Sequence, residues 1–87
     1  MKYFLYILKS KRFERYYTGI SKDVVKRWEF HNTKEKGFTS RYRPWELVYF
    51  KEYENKSDAM KSERIVKSWK SKVMIEKLIK NEIDIPR

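Results

Sequence analysis

Three stretches of this chain predict an α+β domain built on a three-stranded, mostly antiparallel sheet flanked by helices. Tyr3 to Leu8 is a continuous apolar run, the pattern of a strand buried on both faces and therefore central in its sheet. Trp45 to Tyr53 alternates large apolar and charged residues with the period of a strand. Ser21 and Ser57 each precede a segment with apolar residues at helical spacing. In chain order the elements read ββαβαα, a single domain over residues 1–87.

After the first strand, Lys9 to Glu14 is charged and reads as a hairpin loop. Arg15 to Ile20 resumes with the β-formers Tyr16, Tyr17, Thr18 and Ile20. Gly19 marks a bend or a close approach that a Cβ would obstruct. Ser21 is the expected cap of the first helix, with Asp23 in its first turn. The inward stripe is Val24, Trp28 and His31, with Val25 beside it and Arg27 at its border, and the helix should fade over residues 32–36. Phe38 to Pro44 reads as a loop in which Pro44 holds Arg43 extended. The third strand places Trp45, Leu47, Tyr49, Lys51 and Tyr53 on one side, with Glu46, Val48, Phe50 and Glu52 on the other. Ser57 should cap the second helix, whose stripe is Ala59, Met60, Glu63 and Val66. Ser71 should cap a last helix with Val73, Met74, Leu78 and Ile79 inward. Pro86 ends regular structure, so the tail 81–87 is expected to fray.

Composition narrows the function classes. With no cysteine, neither a disulfide framework nor a thiolate metal site is possible. The apolar run at Phe4 to Leu8 is far too short for a secretory core or a membrane span, so a soluble cytoplasmic protein without a membrane partner is expected. The three Trp, seven Tyr and five Phe supply a largely aromatic core, which suits a short chain because each ring buries much area. Formal net charge is +10. Residues 2–43 hold twelve Lys and Arg against four acids, a net of +8. A field of that sign attracts polyanions, nucleic acid first, although a basic surface also serves solubility alone.

The candidate site residues fall in the most basic half and on the second helix. Tyr6 and Tyr17 can stand side by side on one face of an antiparallel pair. Arg27 and His31 are four apart on a helix and share a face, about 6 Å apart along the axis. Two phenols, a guanidinium and an imidazole so arranged can hold a phosphate and move protons. Each also has a plainer reading: core aromatics for the tyrosines, a salt bridge with Asp23 for Arg27, a structural histidine for His31. Glu63 is the most informative residue, because a carboxylate on an apolar stripe needs a partner. That partner is either a cation such as Arg27 or Arg64, or Mg²⁺, which takes one or two carboxylates and fills its shell with water and phosphate oxygens. The run Arg41-Tyr42-Arg43-Pro44-Trp45 mixes cations with rings, as in segments that track a phosphate backbone and stack bases. Lys26, Arg41 and Arg43 are the candidate nucleic-acid contacts.

Taken together, Phe4-Leu5-Tyr6, Tyr17-Thr18-Gly19-Ile20, Arg27 ten positions after Tyr17, His31 and a later helical Glu63 resemble the GIY-YIG nuclease superfamily, in its small single-domain branch of endonuclease-like proteins. The resemblance covers about residues 3–80. It implies a three-stranded antiparallel sheet with helices and hydrolysis of phosphodiesters in DNA, with RNA not excluded, dependent on Mg²⁺ or Mn²⁺. It implies that Glu63 holds the metal, that Tyr6 and Tyr17 position or deprotonate the attacking water, and that Arg27 clamps the scissile phosphate with help from His31. Phe4 stands where the first tripeptide of the family has glycine, Ile20 where repair members have lysine, and Ile75 near a position that is asparagine in larger relatives. Those relatives carry separate DNA-binding domains, so a protein partner for targeting is one expectation here. The alternative function is a non-catalytic nucleic-acid-binding module of the same fold; a basic scaffold for acidic proteins is a third.

Overall fold

The computed structural model describes residues 2–86. The strands are β1 (Tyr3–Ser10), β2 (Tyr16–Ser21) and β3 (Trp45–Tyr53), and the helices are α1 (Val24–Thr33), α2 (Lys56–Trp69) and α3 (Lys72–Ile79). A 3₁₀ turn, Phe38–Tyr42, replaces part of the loop expected before β3. Both neighbours of β1 are antiparallel to it, and the order β2-β1-β3 puts the apolar run in the middle, as predicted.

The central strand divides the core by simple alternation. Leu5 and Ile7 point to one face and join Val66, Ile75, Leu78 and Ile85 beneath α2 and α3. Tyr6 and Leu8 point to the other and join Val24 and Trp45 beneath α1 and the 3₁₀ turn. Strand β3 does not alternate as its sequence implies. Ile7 lies opposite Tyr49 and Leu8 opposite Leu47, so Val48 has no counterpart and a bulge forms. Trp45 and Leu47 consequently pack with Tyr6, while Tyr49 and Tyr53 pack with Leu5. The bulge lets one strand supply large residues to both buried faces.

The helix starts differ from expectation by two residues each. Asp23, not Ser21, caps α1 by accepting from Lys26 N, while Ser21 Oγ accepts from Asp23 N and braces the cap. Asn55, not Ser57, caps α2 by accepting from Asp58 N. In both places two residues have capping chemistry: Ser21 is taken up as the last residue of β2 and Ser57 lies inside α2, which leaves Asp23 and Asn55 at the helix starts. Ser71 caps α3 as predicted. The buried residues of α2 are Ala59, Ser62 and Val66, which turns Met60 toward solvent. In α3 Ile75 and Leu78 are buried and Val73 is exposed; Val25 of α1 is also exposed. The tail has no regular structure yet is docked rather than frayed: Ile85 is in the core and Asp84 accepts from Lys51 Nζ at 3.0 Å. Arg87, the last residue of that tail, lies outside the described residues. Among the described residues, no helix is long and apolar enough to cross a membrane.

Candidate active site

The site is built outward from Tyr6. Its register partner across β1 and β2 is Gly19, and a Cβ there would stand 2.6 Å from the Tyr6 hydroxyl oxygen and 2.7 Å from Cζ. The close approach expected at Gly19 is therefore that of a phenol lying flat over the backbone of β2. Tyr17 is paired with Leu8 and sits diagonally from Tyr6 on the same face, with ring centroids 6.3 Å apart.

Helix α1 brings in the imidazole. His31 Nε2 is 2.9 Å from Tyr6 Oη, and Nδ1 is 3.1 Å from Thr39 Oγ1. The Tyr17 ring packs on His31 at 4.7 Å between centroids. The helix is held in this pose through Trp45. Asn32 donates to the Trp45 carbonyl and accepts from its N–H, Trp28 Nε1 donates to the same carbonyl, and the Trp45 indole donates to Thr39 O. Trp45 thus ties α1 to the start of β3 through its backbone and the 3₁₀ turn to both through its indole.

Burial sets the protonation states. The Tyr6 phenol is pushed up to about 12, first by burial and then by Tyr17; the Arg27 guanidinium pulls the other way and the Glu63 carboxylate adds to the rise. His31 is pushed down to about 4, first by burial and then by Arg27. At neutral pH the pair is a neutral phenol against a neutral imidazole, which needs one ring nitrogen as donor and the other as acceptor. The line Thr39–His31–Tyr6 satisfies that in either tautomer.

The five residues proposed from sequence are brought together, but not as an open row. Tyr6 and His31 are each only 1 % exposed, whereas Tyr17, Arg27 and Glu63 are half-buried and form the accessible part. Glu63 pairs with Lys67 at 3.2 Å, one turn along α2, rather than with Arg27 or Arg64. Arg27 lies over the Phe30 ring at 4.6 Å from its centroid. Of the expected nucleic-acid contacts, Lys26 and Arg41 are exposed. Arg43 is not free in the same way: it is extended as predicted, and its Nε and Nη2 donate to the carbonyls of His31 and Glu35, tying the end of α1 to β3. Thr39 is the site residue that sequence reasoning missed. Nothing in its local pattern marks it, since its partner is eight residues away and the 3₁₀ turn that aims it has the sequence pattern of a loop.

Among the described residues no three His, Cys, Asp or Glu side chains cluster as a ready-made metal cage. The carboxylate whose charge reaches Tyr6 is Glu63, which is half-buried. That fits Mg²⁺, which keeps most of its water and takes the remainder from substrate phosphate. It does not fit zinc, which wants three or four nitrogen or sulfur ligands.

The family model for the GIY-YIG catalytic domain matches residues 2–78. The chain belongs to the GIY-YIG family. Its domain has the nuclease-like fold of that family, with both signature tyrosines on adjacent strands. The GIY-YIG chain is similar to UPF0213 protein SSP2268 of Staphylococcus saprophyticus, 38% identical over 69 residues that cover 78% of this chain and 83% of the relative. It is also 41% identical over 68 residues to a UPF0213 protein of Staphylococcus aureus, covering 77% of this chain and 82% of that one. The solution structure of UPF0213 protein BH0048 from Bacillus halodurans has the same fold, with a TM-score of 0.59 and 31% identity over 94% of this chain and 86% of that one. These relatives are small proteins of comparable length, so GIY-YIG membership and the α+β architecture hold for nearly the whole chain.

Proposed function

We propose that this GIY-YIG domain is an endonuclease that hydrolyses phosphodiester bonds in nucleic acid, DNA before RNA, with one divalent cation. The observation that supports it best is convergence on a single hydroxyl. Tyr6 of β1 is bonded directly by His31 of α1 and packs beside Tyr17 of β2, while the charges of Arg27 and of Glu63 on α2 act on its phenol with opposite sign. A structural tyrosine needs one partner for its hydroxyl; it does not need a guanidinium, an imidazole and a carboxylate together.

In this reading Arg27 binds the scissile phosphate and stabilises charge that builds on it. Tyr6 and Tyr17 position the attacking water, and a proton leaving that water goes to Tyr6 Oη as Tyr6 passes its own to His31 Nε2. Neutral His31 offers a free Nε2 lone pair for it, with its Nδ1–H directed at Thr39 Oγ1, and because burial and Arg27 disfavour the imidazolium the proton is held there only transiently. Glu63 would hold Mg²⁺ or Mn²⁺, which when bound supplies Lewis-acid charge at the phosphate. Lys26 and Arg41 add cation at the rim.

Supercoiled plasmid incubated with Mg²⁺, with Mn²⁺ or with chelator tests the reading. Nicking should require the metal, and Glu63→Gln and Arg27→Ala should each lower it by about 10²–10³-fold while the fold survives. Cutting that persists in chelator would remove the metal from the scheme. The second reading is a non-catalytic nucleic-acid-binding module. It is favoured by the near-complete burial of Tyr6 and His31 and by the Glu63–Lys67 pair, which together also make a satisfied structural network. Salt-sensitive binding without cleavage of any substrate in either metal would select it.

A further inference from the structure

The loop that joins β1 to β2 carries an aromatic ring that folding leaves half in solvent. Phe13 is 46% exposed and stands among Lys11, Arg12, Glu14 and Arg15, all exposed as well. On the 3₁₀ turn Phe38 is 53% exposed. Tyr42 contacts both, 5.4 Å from Phe13 and 4.9 Å from Phe38 between centroids. Cations cover this cluster: the Arg15 guanidinium lies over Tyr42 at 5.3 Å and Arg12 over Phe13 at 5.6 Å. A cavity of about 390 Å³ beside Phe13 sets Lys9, Lys11 and Arg12 against Glu14 and Glu46. The cluster also connects inward. Tyr42 is 6.3 Å from Trp45, Trp45 is 6.5 Å from Tyr17, and Tyr17 packs on His31, so three ring contacts lead from the exposed surface to the candidate active site.

We propose that Phe13 and Phe38, spaced by Tyr42 and flanked by Arg12 and Arg15, form a stacking platform for unpaired bases, so that the strand led to the active site is single-stranded. The proposal rests on the nuclease reading for the strand's destination and refines its substrate class. Exposed rings interleaved with guanidinium groups are the chemistry that holds single-stranded nucleic acid: each ring takes a base face and each cation a phosphate. Rings carried on a projecting loop and a turn cannot reach base faces inside a duplex, where neighbouring pairs cover them. A protein partner would prefer a surface without so many cations, and at net +10 the polyanion is the better complement.

Fluorescence anisotropy in chelator, where nothing is cut, measures the platform directly. The probes are a labelled single-stranded oligonucleotide, the same strand with abasic positions, and its blunt duplex. The wild-type protein should bind the intact single strand most tightly. Phe13→Leu and Phe38→Leu keep apolar bulk but lose the ring face, and each should weaken single-strand binding roughly ten-fold with little change on duplex. Phe13→Trp and Phe38→Trp should restore it, and the abasic strand should bind the wild-type protein about as weakly as the leucine variants bind the intact one. If the leucine variants bind the single strand like wild type, or lose duplex binding equally, the platform is overturned while metal-dependent nicking can still stand. A protein that then still needs those two rings for another macromolecule would give them to a protein partner. If wild type binds neither probe, the platform and the nuclease reading fall together.

Discussion

The two faces of the sheet are packed against the same central strand, yet they are made of different material. Beneath α2 and α3 the contacts are chiefly aliphatic: Leu5, Ile7, Val66, Ile75, Leu78 and Ile85. Beneath α1 and the 3₁₀ turn they are aromatic and hydrogen-bonded, with Tyr6, Trp45, His31 and Thr39 joined by directed bonds. The aliphatic side gains from area removed from water, a term that tolerates sliding and repacking. The aromatic side trades part of that gain for fixed geometry, because a misplaced buried hydroxyl or imidazole is left without a partner. The division sets an aliphatic face against an aromatic, hydrogen-bonded one, and a single strand with period-two alternation serves both.

That division makes four expectations, in falling order of size. Leu78→Ala on the aliphatic face should cost about 2–5 kcal/mol and lower the thermal midpoint by roughly 10 °C or more. Cutting per folded molecule, assayed well below that midpoint, should not change; a parallel loss of activity would show that the faces are not separable. Acid should act on the aromatic face instead. His31 is held at about 4 against 6.5 in the unfolded chain, so between those values the unfolded chain binds the extra proton. The stability that this contributes is complete above about pH 6.5 and is lost as pH falls toward 4, on the order of 3 kcal/mol in all. Thermal midpoints followed down that range should drop, and His31→Gln should flatten the slope.

Gly19→Ala ranks third. Its Cβ meets the Tyr6 hydroxyl, which can retreat only by leaving His31, so about 1–3 kcal/mol of stability and most of the cutting should go together. A variant that cuts normally would mean that the phenol has room elsewhere. Lys67→Ala should have the least effect on stability, within about 0.5 kcal/mol, because Lys67 is mostly exposed. Freed of its ammonium, Glu63 should need less metal: the Mg²⁺ concentration for half-maximal nicking should fall by roughly a factor of two to five. An unchanged metal requirement would argue that Glu63 is not the ligand.

What the sequence discloses follows how local the cause is. The central strand was legible because six consecutive apolar residues, Tyr3 to Leu8, admit few other placements, and Tyr6 beside Tyr17 because antiparallel pairing constrains them. The stripe of α1 was legible from Val24, Trp28 and His31, of which Val24 and His31 are buried. The misplaced caps at Ser21 and Ser57 are near-degenerate choices between good capping residues. Harder to read were effects decided by long-range partners: the bulge at Val48, the docking of Ile85, the Arg43 bonds to carbonyls, and Thr39 under His31. None has a periodicity, and each is fixed only once α1, β3 and the tail have packed. The same reason explains why the site residues could be gathered from spacing while the burial of Tyr6 and His31 could not.

The extra residue in β3 carries a consequence for how this chain can vary. Because Val48 has no counterpart on β1, the residues on either side of it are committed to opposite hemispheres of the molecule. Exchanging one apolar side chain for another there alters a contact, but losing one link of the chain would turn Trp45, whose backbone anchors α1, out of its chamber. The length of this edge segment is thus specified as strictly as its chemistry, and lineages of the domain should accept letter changes along it far more readily than gaps.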